Sequence, residues 1–174
     1  MTTAYRFFSL AALAMGAACS RAPAPVVATP SSIPPVAGER RAANGVDYID
    51  VVVGRGDPIR TGQCAYVHYV GWTESGRQVD ASRDSTTGPD APPLTVPVGA
   101  KAVIAGWDAG IPGMRVGGKR RLFIPYRMGY GEAGSPPTVP RRADLVFDIE
   151  LVAMGYATKA GTATGTKPTC PAWR

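Results

Sequence analysis

Histidine is almost missing from this chain, and cysteine is sparse and scattered. A single imidazole, His68, among 174 residues removes most histidine-based metal sites and weakens any Ser-His-Asp arrangement. The three cysteines, Cys19, Cys64 and Cys170, stand far apart, with no Cys-x-x-Cys spacing of the kind a zinc site uses. No long basic run is interleaved with aromatics, so no nucleic-acid groove is expected. The net charge of +6 sits in small clusters, Arg40–Arg41, Lys119–Arg120–Arg121 and Arg141–Arg142, which read as a soluble basic surface. What the chain does hold is 45% hydrophobic residues, enough for a core, with 21 glycines and 17 prolines. That composition predicts many turns and short elements around one domain, plus at least one unstructured stretch, and argues against a helical bundle.

The first 18 residues, "MTTAYRFFSLAALAMGAA", carry Arg6 and then an apolar run. The run is too short to span a bilayer in the mature protein and reads as a secretory signal. Gly16, Ala17 and Ala18 directly before Cys19 resemble a bacterial lipoprotein box, which implies a lipid on Cys19. Gly16 departs from the leucine usual there, so simple export stays open beside it. Residues 19–44 are rich in Pro, Ala and Ser and read as a linker. The folded domain is expected over 45–155, with a tail at 156–174. With Cys19 lipidated, Cys64 and Cys170 are left as a candidate disulfide in an oxidising compartment. The sequence leaves open whether the two sulfurs meet.

Within the domain, six segments alternate apolar and polar in the manner of strands: 46–53, 63–72, 77–80, 94–98, 119–125 and 144–154. The last is the clearest, with Leu145, Phe147, Ile149 and Leu151 on one face and Asp148 and Glu150 on the other. One buried and one wet face means an antiparallel sheet. Only 99–114 reads as helix: Ile104, Trp107, Ile111 and Met114 recur at helical spacing, and Pro112 ends the run. A short apolar helix laid across a curved sheet would cover its buried face.

Residues 113–119, "GMRVGGK", match the opening of a phosphate-binding loop. That loop needs a strand before it, a helix after it, and Ser or Thr after the lysine. Here the order is helix, loop, strand, and Arg120 holds the hydroxyl's place. The stretch is a turn feeding a strand. "RGD" at 55–57 is a three-residue match in a glycine-rich turn.

Three blocks in register carry a resemblance. "VHYVGWTESGRQVDASRD" (67–84), "VIAGWDAGIPGMRVGGKRRLFIP" (103–125) and "GYGEAGSPPTVPRRADLVFDIEL" (129–151) closely resemble FKBP-type peptidyl-prolyl cis-trans isomerases. The match spans roughly 46–153. It implies an α+β fold in which a five- or six-stranded antiparallel half-barrel wraps one short helix, with an apolar pocket for a prolyl side chain between them. It further implies that Tyr69, Asp80 and Tyr130 are the polar catalytic set, and that Trp107 is the floor and Phe147 a wall. Val103 and Ile104 would lie at the edge, with the Ile104 backbone N–H offered to a ligand carbonyl. Leu94 stands where an aromatic is common, and Val139 is the apolar residue of the loop before the last strand.

There are departures. Val79 replaces the phenylalanine usual before the acid, Ala102 lacks an acid some members carry, and Ser135 stands where some have histidine. The "STTGPDAPP" loop (85–93) is longer than usual. The resemblance implies no cofactor, and proline-containing segments as substrate, with macrolide inhibitors as candidate ligands. A monomer is expected, since no helical dimerisation arm precedes the domain, and membrane contact only through a lipid anchor. The competing expectation is an FKBP-like module that grips apolar segments without useful turnover, and Val79 keeps it open.

Overall fold

The computed structural model describes residues 33–84, 86–157 and 169–173. The stretch expected to be an export segment, Cys19 and most of the tail lie outside the described residues. Seven strands, one helix and one 3₁₀ turn follow in order. They are β1 (Arg40–Ala43), β2 (Val46–Val52), β3 (Gln63–Thr73), β4 (Gln78–Ala81), β5 (Leu94–Pro97), α1 (Ala105–Gly110), β6 (Lys119–Ile124), the turn Tyr126–Met128, and β7 (Leu145–Tyr156). Every pairing is antiparallel, in the order β1-β2-β6-β7-β3-β4, with β5 on the other half of β3.

The alternation of β7 decides which face is inside. Leu145, Phe147, Ile149 and Leu151 enter the core with Val67 of β3, Leu122 and Ile124 of β6, and Val96 of β5. The sheet closes over α1, whose Trp107 and Ile111 are buried. Six residues are too few for a helix to stand alone, so packing holds it. Gly106 and Gly110, one turn apart, let the helix lie directly on β6. A Cβ at Gly106 would stand 2.8 Å from Ile124 Cδ1, and one at Gly110 2.6 Å from Leu122 Cδ2.

The helix is shorter than the 99–114 read from spacing, because the chain before it is a turn. Gly99 and Lys101 take left-handed φ values of 79° and 57°, and their N–H groups donate to the Asp108 carboxylate at 2.7 and 2.9 Å. Ile111 and Met114 stay buried beyond its end.

Two expectations are corrected. The stretch 40–43 was expected in the linker but forms β1, a strand added to the six expected. Asn44 and Gly45 have φ of 51° and 85°, the paired positive values of a two-residue Asn-Gly hairpin. Arg40 then pairs with Asp47 at 2.9 Å and lies 3.9 Å over the Phe123 ring.

The basic cluster at 119–121 is not simply surface either: Arg120 and Arg121 are only 6% and 4% exposed. Buried charge needs partners, and both have them. Arg120 donates to Asp50 at 2.7 Å and to the Gly110 and Pro112 carbonyls at 2.8 and 3.2 Å, with its guanidinium 4.1 Å over the Tyr48 ring. It therefore ties off the helix end. Arg121 makes a two-pronged pair with Asp148, at 2.6 and 2.7 Å, and donates to the Pro34 carbonyl at 2.6 Å. Pro34, ahead of β1, is thereby tied to the outer face of the sheet.

The other end of the described chain is fixed as well. Cys64 of β3 is joined to Cys170, with Cα atoms 5.7 Å apart. Nearby, the Tyr66 hydroxyl donates to the Pro171 carbonyl at 2.8 Å and the Trp173 ring lies 5.4 Å from that of Tyr66. The bond closes a loop across a sequence separation of 106. In the chain-entropy account, that is worth up to about 5 kcal/mol. A Cys64→Ser, Cys170→Ser double variant is expected to keep the fold. Its urea midpoint should drop by the equivalent of about 2–5 kcal/mol; an unchanged midpoint would show that the tie contributes nothing.

Candidate active site

A cavity of about 430 Å³ opens between α1 and the sheet. Its apolar wall is three rings from three elements. Tyr69 meets Trp107 edge-on, with centroids 4.9 Å apart and planes at 80°. Trp107 meets Phe147 at 5.3 Å and 87°, and Tyr69 and Phe147 are 6.1 Å apart. Edge-to-face packing aims the positive ring edge at the negative face and fixes the rings beyond what burial alone gives.

Gly71 makes this arrangement possible. It lies directly across from Phe147 in the β3–β7 register. A Cβ there would stand 2.8 Å from Phe147 Cδ1, so the ring can lie over the strand only because the position is bare.

The polar side of the cavity is equally fixed. The Tyr69 hydroxyl donates to Asp80 Oδ2 at 2.7 Å, and the Ala81 N–H donates to Oδ1 at 2.8 Å. Burial first, then the bond to Asp80, pushes the Tyr69 phenol well above its usual value. Burial, then the Asp80 charge, raises Tyr130 too. Both phenols therefore stay protonated and able to donate. Tyr130, 41% exposed, stands at the mouth after the 3₁₀ turn. That turn is held by the Asp144 carboxylate on the Tyr126 N–H at 2.7 Å, and by Gly131 N–H on the Tyr126 carbonyl at 2.7 Å.

Ile104 precedes the helix with φ −59° and ψ 147°. Its carbonyl accepts from Trp107 N–H at 2.9 Å, while no described residue takes its own N–H.

Of the residues singled out in the sequence, Tyr69, Asp80, Leu94, Val103, Ile104, Trp107, Tyr130 and Phe147 line this cavity together. Ala102 lines it as well. Val79 and Val139 do not. Val139 is buried in the core, its N–H and carbonyl both bonded to Ser135. Val79 sits where the β3–β4 register shifts: Gly71 pairs with Asp80 and Trp72 with Gln78, leaving Val79 opposite no residue. Such a bulge lets consecutive side chains turn to one side, so Val79 packs on the core beside Asp80. Gly71 escaped notice in the sequence, although a lone glycine inside an alternating strand is the known mark of a close approach.

Residues 56–152, more than half of the chain, match the model of the family described as FKBP-type peptidyl-prolyl cis-trans isomerase. The chain belongs to this family. The isomerase domain is 43% identical over 108 residues to an FK506-binding protein of Neisseria meningitidis serogroup B, covering 62% of this chain and 94% of that protein. It is 42% identical over 109 residues to FK506-binding protein 4 of Dictyostelium discoideum, covering 63% of this chain but only 28% of that longer protein. Among solved structures, that of AtFKBP13 superimposes with a TM-score of 0.58 at 36% identity, covering 66% of this chain and 98% of that one. The domain is thus an enzyme of the prolyl isomerase class, and its antiparallel sheet wrapped on one short helix is the architecture of its relatives.

Two outcomes follow for the isomerase. Gly71→Ala should push the Phe147 ring into the cavity, costing about 1–3 kcal/mol of stability and raising the Kd of a prolyl peptide roughly tenfold. An unaltered Kd, read by NMR titration, would show that the ring position is not set there. Because both phenols titrate above their usual value of about 10, kcat/KM should stay level to about pH 9. A fall centred below pH 9 in exchange measurements would contradict the raised phenols.

Proposed function

We propose that the cavity accelerates X–Pro isomerisation without covalent chemistry, by favouring the twisted amide over the planar one. The X–Pro bond is nearly balanced between cis and trans, but rotation must break amide resonance and takes tens to hundreds of seconds unaided. A planar amide is the more polar form and is better solvated by water. Enclosure by Tyr69, Trp107 and Phe147 removes that solvation and disfavours the planar form. The Tyr130 hydroxyl and the free Ile104 N–H hold the flanking carbonyls, and the Tyr69–Asp80 pair fixes the polar wall. A 10⁵-fold acceleration needs about 7 kcal/mol, within reach of a few such terms. The observation that carries this reading is the ring box with two un-ionised phenols and one unused backbone donor at its mouth. No nucleophile is required, which suits a chain with a single histidine to serve as a base.

Proline-containing polypeptide segments are the proposed substrates. Relatives named FK506-binding proteins make that macrolide a candidate occupant of the same cavity. The signal pattern, the Cys19 box and the Cys64–Cys170 bond support export to the cell envelope with a lipid anchor. Among the described residues, no helix is long and apolar enough to cross a membrane.

One feature favours a second reading, a peptide-gripping module with little turnover: Val79 leaves the cavity without the ring usual at that position.

Cis/trans exchange of a short Xaa-Leu-Pro peptide, followed by NMR with the purified chain, separates the two. Accelerated exchange that an Asp80→Ala, Tyr130→Phe double variant loses by about 10²-fold or more supports the isomerase site. Peptide binding without acceleration supports the gripping module, and Val79→Phe should then restore turnover.

A further inference from the structure

β4 is four residues long and pairs with β3 at only three positions, one of them beyond the bulge. Asp80, which lies on it, must nevertheless stay 2.7 Å from the Tyr69 hydroxyl. Just past Asp80 the chain leaves the sheet for the long loop that ends at β5. The last tie before that departure is Ser82. Its N–H donates to the Tyr69 carbonyl at 3.0 Å, and its Oγ accepts from the Tyr69 N–H at 2.9 Å. Both backbone groups of Tyr69 that face β4 are therefore held by one residue.

The hydroxyl has a third partner. His68 precedes Tyr69 on β3, so its side chain turns to the opposite face of the strand. It is buried, and its Nδ1 lies 3.1 Å from Ser82 Oγ. The hydroxyl proton can reach the Tyr69 carbonyl at 3.3 Å. In the Nδ1–H tautomer of His68, an oxygen that donates there and accepts from Tyr69 N–H has one lone pair left to accept from the ring. Burial and the nearby Arg83 charge lower the His68 pKa, which keeps the ring neutral, with the Glu150 charge opposing.

We propose that Ser82 and His68 are positioning residues for the isomerase reaction: from the outer face of β3 they fix the backbone of Tyr69 against the end of β4, which holds the Tyr69–Asp80 pair in register with the substrate. This rests on the reading of Tyr69 and Asp80 as the polar wall of the site. The prolyl ring itself is gripped by Trp107 and Phe147, which neither residue touches. Loosening the tie should therefore slow turnover while leaving peptide binding nearly intact.

The test measures kcat, KM and peptide Kd by NMR exchange on the purified chain carrying Ser82→Ala, Ser82→Thr, His68→Leu, His68→Asn or Asp80→Ala. Ser82→Ala should lower kcat about tenfold with Kd changed less than about twofold. Ser82→Thr, which keeps the hydroxyl, should restore most of it. His68→Leu should lower kcat less, and His68→Asn, which keeps a donor near the Nδ1 position, should recover it. Wild-type kcat in both Ser82→Ala and His68→Leu, with Asp80→Ala impaired, overturns this inference alone. So does an equal loss in the Thr and Asn variants, which would mark a merely structural contact. An Asp80→Ala variant as fast as wild type removes the reading of the site itself. Should Ser82→Ala fail to fold, the contrast between His68→Leu and His68→Asn decides, since both keep the Ser82 hydroxyl and differ in whether a side chain can hold it.

Discussion

The ladder between β3 and β7 is the constraint on which the rest hangs. The two strands pair along their whole length, from Gln63 opposite Tyr156 to Thr73 opposite Leu145. Tyr69 and Phe147, two of the three rings around the cavity, come from this ladder, and so do Gly71, which admits Phe147, and Cys64, which holds the tail. A slip of one residue would turn every inward side chain of β7 to the solvent. The hydrophobic alternation of 145–151 thus specifies the register, and the register specifies the site.

Catalytic capacity in such a site is a matter of exclusion and fixed donors rather than reactive groups. That explains an apparent mismatch between a chain with one histidine and an enzymatic activity. In the proposed mechanism, the groups that count are phenols kept un-ionised by burial and by a neighbouring carboxylate, a backbone N–H that no described residue takes at a helix start, and rings locked edge to face. Each depends on a small residue or a turn somewhere else: Gly71 beneath Phe147, Gly106 and Gly110 beneath α1, and the left-handed Lys101 ahead of it.

Much of this was legible in the sequence, for identifiable reasons. The six alternating strands announce themselves because each has one wet and one dry face. The cavity residues follow from three blocks in register. What escaped was decided by geometry that composition does not carry. The first strand was hidden because "RRAA" has no apolar alternation; its only signal was the Asn44–Gly45 dipeptide, which sets a hairpin. The burial of Arg120 and Arg121 was hidden because charge reads as surface until Asp50, Asp148, the carbonyls at the helix end and the Pro34 carbonyl are known to face it. Val79 was assigned to the cavity on its place in the blocks, and the bulge that seats it on the core cannot be read from alternation. The pairing of Cys64 with Cys170 could be posed but not answered, since only the return of the tail past Tyr66 brings them together.

That return also determines how the sheet can come apart. Cys64 is the second residue of β3, and its partner in the ladder is Gly155, one residue from the end of β7. A covalent clasp thus sits at the very end where a C-terminal strand would ordinarily fray, and Trp173 lies over the adjoining Tyr66. Unzipping from that end is checked at its first step. The opposite end, at Thr73 and Leu145, is held instead by burial and by hydrogen bonds from Thr73 N–H to the Arg77 carbonyl and from Glu74 N–H to the Asp144 carbonyl. In slow amide exchange the strand ends beneath the tail should therefore lose protection when the disulfide is reduced, while the far end keeps its own.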